Sequence, residues 1–303
     1  MKKIICSPQF PIGVFRVAIT FVLITAGSVA FGQKVAGKLK FELGQTFEIS
    51  LQVKTTIAQQ AMGQAIDLTV DATGTHSYKV TNTTEDNSTL HHQVQRITFA
   101  FDGMGQKRSF DSNVEKDING QFGKPVKDIL NKTFDIIIDP AGKVLMAIPE
   151  KVAIAEGDSR MAIITNMLKD VFDLVQPPQK GKTSFFGVLP EKEVGKAEPW
   201  TESYQNENGR FSAAYSISDI NDSTIVVDVV ASSATVTKAE MMGNPTTTTM
   251  NNKSTGKIIL DRITGIIREK TLTTESNGNT EASFGTLPVT SKTTTTITVK
   301  PLL

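Results

Sequence analysis

The side chains in this sequence best suited to chemistry are its three histidines, His76, His91 and His92. His91 and His92 are adjacent in a stretch that reads as a strand, so their side chains point to opposite faces. That arrangement spoils a shared metal site, and a structural or solvent-facing role is expected for them. A stronger metal candidate is Glu115-Lys116-Asp117-Ile118-Asn119-Gly120, with oxygen ligands at alternate positions and glycine at the sixth, as in a calcium loop. The twelfth position of such a loop needs a bidentate carboxylate, and here it is Val126. The stretch is therefore expected to be a polar turn, and no metal or other cofactor is expected.

Nucleophilic chemistry finds no support. There is no Gly-x-Ser-x-Gly elbow, no His-Glu-x-x-His and no phosphate-binding glycine loop. No catalytic residue is assigned. Paired carboxylates for glycoside hydrolysis converge from distant strands, and nothing in the spacing selects a pair, so an undetected hydrolase stays as a third reading. Trp200 and Tyr204 have the spacing of a small stacking platform, but packing within a hairpin is the expected role. The threonine runs at 246–249 and 293–296 are too few for a water-ordering array and read as exposed or edge strands.

The elements that would carry these side chains follow from hydrophobic periodicity. Apolar and polar residues alternate over 47–53, 65–70, 76–80, 94–101, 211–217, 224–236 and 257–270, as half-buried strands require. Turn chemistry falls at Asp139-Pro140-Ala141-Gly142 and at Asn277-Gly278. One segment departs from the pattern. Met161, Ile164, Leu168, Val171 and Val175 recur at spacings of three and four, the mark of one helical face. Asp158 or Ser159 can cap that helix, and Pro177-Pro178 stops it. A shorter helical turn is expected from Pro125, with Val126, Ile129 and Leu130 facing inward.

The expected fold is mainly β (α+β), with long antiparallel hairpins forming a curved sheet or partial barrel and one central amphipathic helix packed on the concave face. Residues 1–32 read as a signal peptide, 33–175 as a first β-rich half ending in the helix, 176–199 as a Pro/Gly-rich linker, and 200–303 as a second half completing the same sheet. Gln60-Ala61-Met62-Gly63-Gln64 is echoed by Glu240-Met241-Met242-Gly243-Asn244. Duplication and mere likeness of hairpin turns both account for that.

Export is read from Lys2, Lys3 and Arg16 ahead of a short apolar run at 17–26, with small residues at Ser28 and Ala30. The run is too short to cross a bilayer, so no transmembrane span is expected after processing. Cys6 would leave with the leader, which removes disulfides from consideration. Without Lys2, Lys3 and Arg16, the 32 basic residues fall to 29 against 31 acidic ones. Such a balance lacks the electrostatic footprint of a nucleic-acid binder.

The run Pro125-Val126-Lys127-Asp128-Ile129-Leu130-Asn131-Lys132-Thr133-Phe134, continued by Ile136-Ile137-Ile138-Asp139 and Gly142-Lys143-Val144, resembles a family of uncharacterised secreted β-rich proteins of bacterial envelopes. The hairpin around Met62-Gly63-Gln64 fits the same family. The resemblance implies a periplasmic or secreted protein and no assigned activity. The architecture is also similar to the half-barrel with helical plug of periplasmic lipoprotein carriers. The expectation is an exported, non-catalytic protein that holds a lipid or other apolar molecule against Met161, Ile164, Leu168, Val171 and Val175, since methionine and aliphatic side chains adapt to variable apolar ligands. The rival is a scaffold with a filled core that contacts an envelope protein partner.

Overall fold

Alternation of Val, Ile, Leu and Phe with Thr, Ser, Gln and Lys runs through most of the chain and builds strands far longer than usual. The computed structural model describes residues 33–302 apart from 62–63, 104, 121–122, 153–170, 172–173, 197, 207–208, 242–243 and 284. Strands β1 (Thr46–Ala61), β2 (Gln64–Thr83), β3 (Ser88–Gly103) and β4 (Gln106–Asp111) come first. Helices α1 (Glu115–Ile118) and α2 (Gly123–Leu130) and strands β5 (Thr133–Ile138) and β6 (Val144–Ile148) follow. After a long connection come β7 (Trp200–Asn206), β8 (Gly209–Ile220), β9 (Thr224–Met241), β10 (Asn244–Asp261), β11 (Ile267–Ala282) and β12 (Gly285–Leu302).

These strands form one curved, open, 12-stranded antiparallel sheet in the order β6-β5-β3-β2-β1-β12-β11-β10-β9-β8-β7, with β4 pairing β3. Most neighbours are joined by hairpins. The exception at the centre is the pairing of β1 with β12, which runs from Thr46↔Leu302 to Gln59↔Val289. The hairpin tips of β1–β2, β9–β10 and β11–β12 all reach the same end of the sheet. The core lies toward the other end, because the apolar half of each long strand is there.

Register divides the sheet into two faces. Phe47, Ile49, Leu51 and Val53 of β1 are buried on the core face, beside Val299 and Ile297 of β12 and Tyr78, His76 and Ala72 of β2. The alternate positions, Glu48, Ser50, Gln52 and Lys54, form a polar outer face with Lys300, Thr298 and Thr296. Lipid-facing barrel strands show the reverse, an apolar outer band. No helix among the described residues is long and apolar enough to cross a membrane.

The core is covered by chain with little regular structure. Phe186 is fully buried and meets Phe41 at 5.5 Å, Tyr78 at 5.3 Å and Phe47 at 6.1 Å between ring centroids. The Pro/Gly-rich segment 176–199 is tied down by bridges Val35↔Val194, Lys143↔Thr183 and Lys196↔Ile217. Gly142, at φ 87°, lets that cover approach closely: a Cβ there would lie 2.5 Å from the Gly187 Cα.

The mainly β, curved-sheet architecture matches the expectation from periodicity, and several details do not. Residues 65–70 and 76–80 belong to the single strand β2. The stretch 257–270 is divided by a turn, in which the Asp261 carboxylate accepts from the Ile263 and Thr264 N–H groups. Asn277-Gly278 lies inside β11, with Gly278 opposite Met250, instead of forming a turn. A Cβ at Gly278 would lie 1.9 Å from the Thr249 oxygen, so glycine serves close strand approach there. The threonine runs lie on interior strands β10 and β12, where pairing on both sides replaces the expected edge exposure. Of the expected helix over 159–175, residues 159–170 fall outside the described residues; Val171 is helical and Val175 already lies in a turn. The short helix expected from Pro125 is present as α2 but starts earlier, at Gly123, with Val126 and Ile129 buried and Leu130 partly so.

Candidate functional site

Adjacent strand residues face opposite ways, and His91 and His92 do so. His91 Nδ1 lies 2.7 Å from the Asp135 carboxylate on the outer face. His92 points into the core and finds the third histidine. His76 pairs opposite Val94 while Tyr78 pairs opposite His92, which makes His76 and His92 diagonal neighbours across β2 and β3. His76 Nδ1 and His92 Nε2 are 3.0 Å apart, one donating to the other. His92 also stacks on Phe134 at 4.2 Å, and Tyr78 lies 4.7 Å away. Burial pushes the His76 pKa down to about 4, and burial with the nearby imidazoles pushes His92 lower still. Both rings are therefore neutral at pH 7. The other ring nitrogens, His76 Nε2 and His92 Nδ1, have no hydrogen-bond partner among the described residues.

Among the described residues no group of three or more His, Cys, Asp or Glu side chains could hold an ion. Residues 115–118 form α1, and the Asp117 carboxylate accepts the Asp111 N–H instead of facing a cation.

Of the expected ligand-contacting residues, Met161, Ile164 and Leu168 lie outside the described residues. Val171 and Val175 are each 1% exposed. Val171 packs over bare backbone of β2, because a Cβ on Gly74 would lie 2.8 Å from Val171 Cγ1 and 2.8 Å from His76 Nε2.

A second cluster lies beyond the core, at the β7–β8 edge. Register places Trp200, Glu202 and Tyr204 of β7 on the core face, opposite Tyr215, Ala213 and Phe211 of β8. Trp200 stacks on Tyr215 at 5.5 Å and Tyr204 on Phe211 at 4.6 Å, so the spacing of Trp200 and Tyr204 yields two aromatic pairs in one row. Tyr204 remains 50% exposed, and the Lys182 ammonium sits 5.0 Å above its ring. The Trp200 indole N–H is buried without an acceptor among the described residues. Burial, with the Glu202 charge as a smaller cause, raises the Tyr215 phenol to about 12.

One lysine, Lys270 of β11, also stands on the core face. It lies between Ile258 of β10 and Ile297 of β12, both buried. Partial burial lowers its pKa, and among the described residues the Glu202 charge opposes that shift. Sequence reasoning passed over Lys270 because lysine in an alternating strand reads as solvent-facing. Its parity with Leu272 and Thr274 was the available signal.

Between these clusters the core face turns mixed. Leu68, Phe101, Leu272, Trp200 and Tyr215 are half-buried against the core. Farther along, hydroxyls and amides pair across strands: Thr55 with Thr293 at 3.0 Å, Ser254 with Thr274 at 2.8 Å, and Asn252 with Ser233 at 2.8 Å. The outer face bears ion pairs such as Lys257–Asp228 and Lys54–Asp71. A groove of about 600 Å³ crosses β7–β10 beside Arg210, Ser212, Ser232 and Lys253.

A family model described as a family of unknown function (DUF6263) matches residues 85–267, which contain the 125–144 run. No curated protein matches. Among solved structures the chain is similar to lipovitellin, in a study of its lipid–protein interactions, with 10% identity and a TM-score of 0.46 over 86% of this chain and 25% of that one. The chain thus spans about a quarter of that protein's length. It is also similar to an outer membrane channel from Pseudomonas putida F1, with 9% identity and a TM-score of 0.23 over 87% of this chain and 98% of that one.

Proposed function

Because the chain belongs to this family of unknown function (DUF6263), its role has to be argued from its own residues, and we propose an exported, non-catalytic cell-envelope protein that holds a lipid or other hydrophobic ligand on the core face of its sheet. Export is supported by the basic and apolar leader within residues 1–32. Ligand holding is carried by one observation: the core face continues past the buried core through half-buried Leu68, Phe101, Leu272, Tyr215 and Trp200 to the Tyr204–Phe211 stack, where Tyr204 is exposed. Partly wetted aromatic and aliphatic side chains in a curved sheet are what an apolar ligand covers. The nearly complete burial of Val171 and Val175 favours the rival reading, a scaffold with a filled core that binds an envelope protein.

Gentle purification of the processed protein from its own envelope fraction, then native mass spectrometry and solvent extraction, separates the two. The expected result is a defined apolar molecule at near-unit stoichiometry that also raises the unfolding temperature. A clean unliganded mass, under conditions that keep lipid on a control carrier, would favour the scaffold.

A further inference from the structure

On the outer face, register sets two short rows side by side across β8, β9 and β10: Arg210, Ala234 and Asn251 in one, Ser212, Ser232 and Lys253 in the other. All six line the groove of about 600 Å³ that crosses β7–β10. The small side chains of Ala234, Ser212 and Ser232 leave the trough open, and the two cations stand at its diagonal ends, on strands about 10 Å apart. No described Asp or Glu lines the groove. On the same face Lys54, Lys257 and Lys292 are matched across strands by Asp71, Asp228 and Glu275. Arg210 and Lys253 make no hydrogen bond or ion pair with another described residue. Glu275, opposite Lys253 on β11, is held by Lys292 at 3.3 Å. Arg96, Arg108, Arg262 and Arg268 each donate to a partner, which leaves Arg210 as the one described arginine with its fork free. The Ser212 and Ser232 hydroxyls and the Asn251 amide are equally unengaged among the described residues.

We propose that this groove binds an anionic saccharide, a short run of sugar units that carries a carboxylate or a phosphate. Arg210 offers such a group a planar, bidentate fork, and Lys253 adds a second positive charge at the far end of the trough. The serine hydroxyls and the asparagine amide between them both donate and accept, as sugar hydroxyls do. An acidic peptide carries no hydroxyl array to engage them, and two cations are too few for a nucleic-acid backbone. The groove faces away from the strip assigned to an apolar ligand, so the two sites stand or fall separately.

The processed protein is titrated calorimetrically with trigalacturonate against maltotriose, with glucose 6-phosphate against glucose, and with triglutamate. One or both anionic sugars are expected to bind about tenfold more tightly than the uncharged counterpart and than triglutamate, the tighter of the two identifying carboxylate or phosphate as the anionic group. Arg210 and Lys253 are exposed, so an Arg210→Gln/Lys253→Gln double variant leaves the core untouched and is expected to abolish that preference. Ser232→Leu fills the trough without altering charge and is expected to weaken the anionic sugars about tenfold as well. Equal binding of charged and uncharged sugars, triglutamate binding as tightly as the sugars, or no binding at millimolar concentration overturns the proposal. An anionic preference that survives the double variant, or full affinity in Ser232→Leu, overturns it too, because the anion is then held by charge elsewhere on the surface.

Discussion

A Phe186→Ala variant is expected to lose about 3–5 kcal/mol of stability, the usual range for deleting a fully buried aromatic ring from a packed core. Phe186 is not on a strand. It comes from the irregular cover and inserts among Phe41, Phe47 and Tyr78, so its removal opens a cavity between cover and sheet that neither side can easily collapse to fill. Its neighbour Phe185 is only partly buried, and Phe185→Ala is expected to cost clearly less. Urea unfolding midpoints of the two variants decide the matter. A loss below about 1 kcal/mol for Phe186→Ala would mean that the segment around it does not hold the core closed.

Acid has the second large effect. His76 and His92 are neutral in the folded protein, with folded pKa values well below the unfolded value near 6.5. Below pH 6.5 the unfolded chain takes up protons that the folded chain refuses, so stability is intact above about 6.5 and falls as the pH drops toward the folded values. His76 alone accounts for on the order of 3 kcal/mol by pH 4, and His92 adds to it. Asp111, held below the ordinary carboxylate range through Arg96, and Asp261, where burial is outweighed by Arg268 and the Thr264 and Ile263 hydrogen bonds, add their own losses only at still lower pH. Denaturation midpoints between pH 7.5 and 4.5 are expected to fall for the wild type. They should stay nearly flat for a His76→Leu/His92→Phe double variant, which removes both imidazoles together and strands no single buried nitrogen. A flat wild-type profile would show that the pair is reached by water and titrates normally.

Strand existence was legible in the sequence because alternation is a local property: the burial of Phe47, Ile49, Leu51 and Val53 follows directly from period two. The turn at 139–142 was legible for the same reason, since Gly142 supplies the positive φ. What joins the strands was not. The meeting of His76 with His92 depends on a bulge between Thr75 and His76 that shifts the register of β2 against β3. Lys270 stands on the core face because β11 pairs with both β10 and β12, placing it between Ile258 and Ile297. The Asn277-Gly278 pair carries a strong hairpin signal, yet the surrounding β10 and β12 pairings override it. The 176–199 segment has linker composition, and nothing local reveals that Phe186 within it is fully buried in the core.

The seam at the centre of the sheet governs how the chain gets there. Most other pairings can grow outward from a hairpin, but Thr55 meets Thr293 across 238 residues. Closing so large a loop adds little to the equilibrium cost, since that cost rises only logarithmically, but it slows assembly, because distant strands must find each other before they are rewarded. Two meanders therefore form early, each ending in a long unpaired edge, β1 on one and β12 on the other. Exposed edges of 16 and 18 residues are adhesive until they meet. A chain of this design has an interval during folding in which it is most open to aggregation or to capture by a holding chaperone. Pulse-labelled hydrogen exchange during refolding is expected to find the β1 and β12 amides among the last to gain protection.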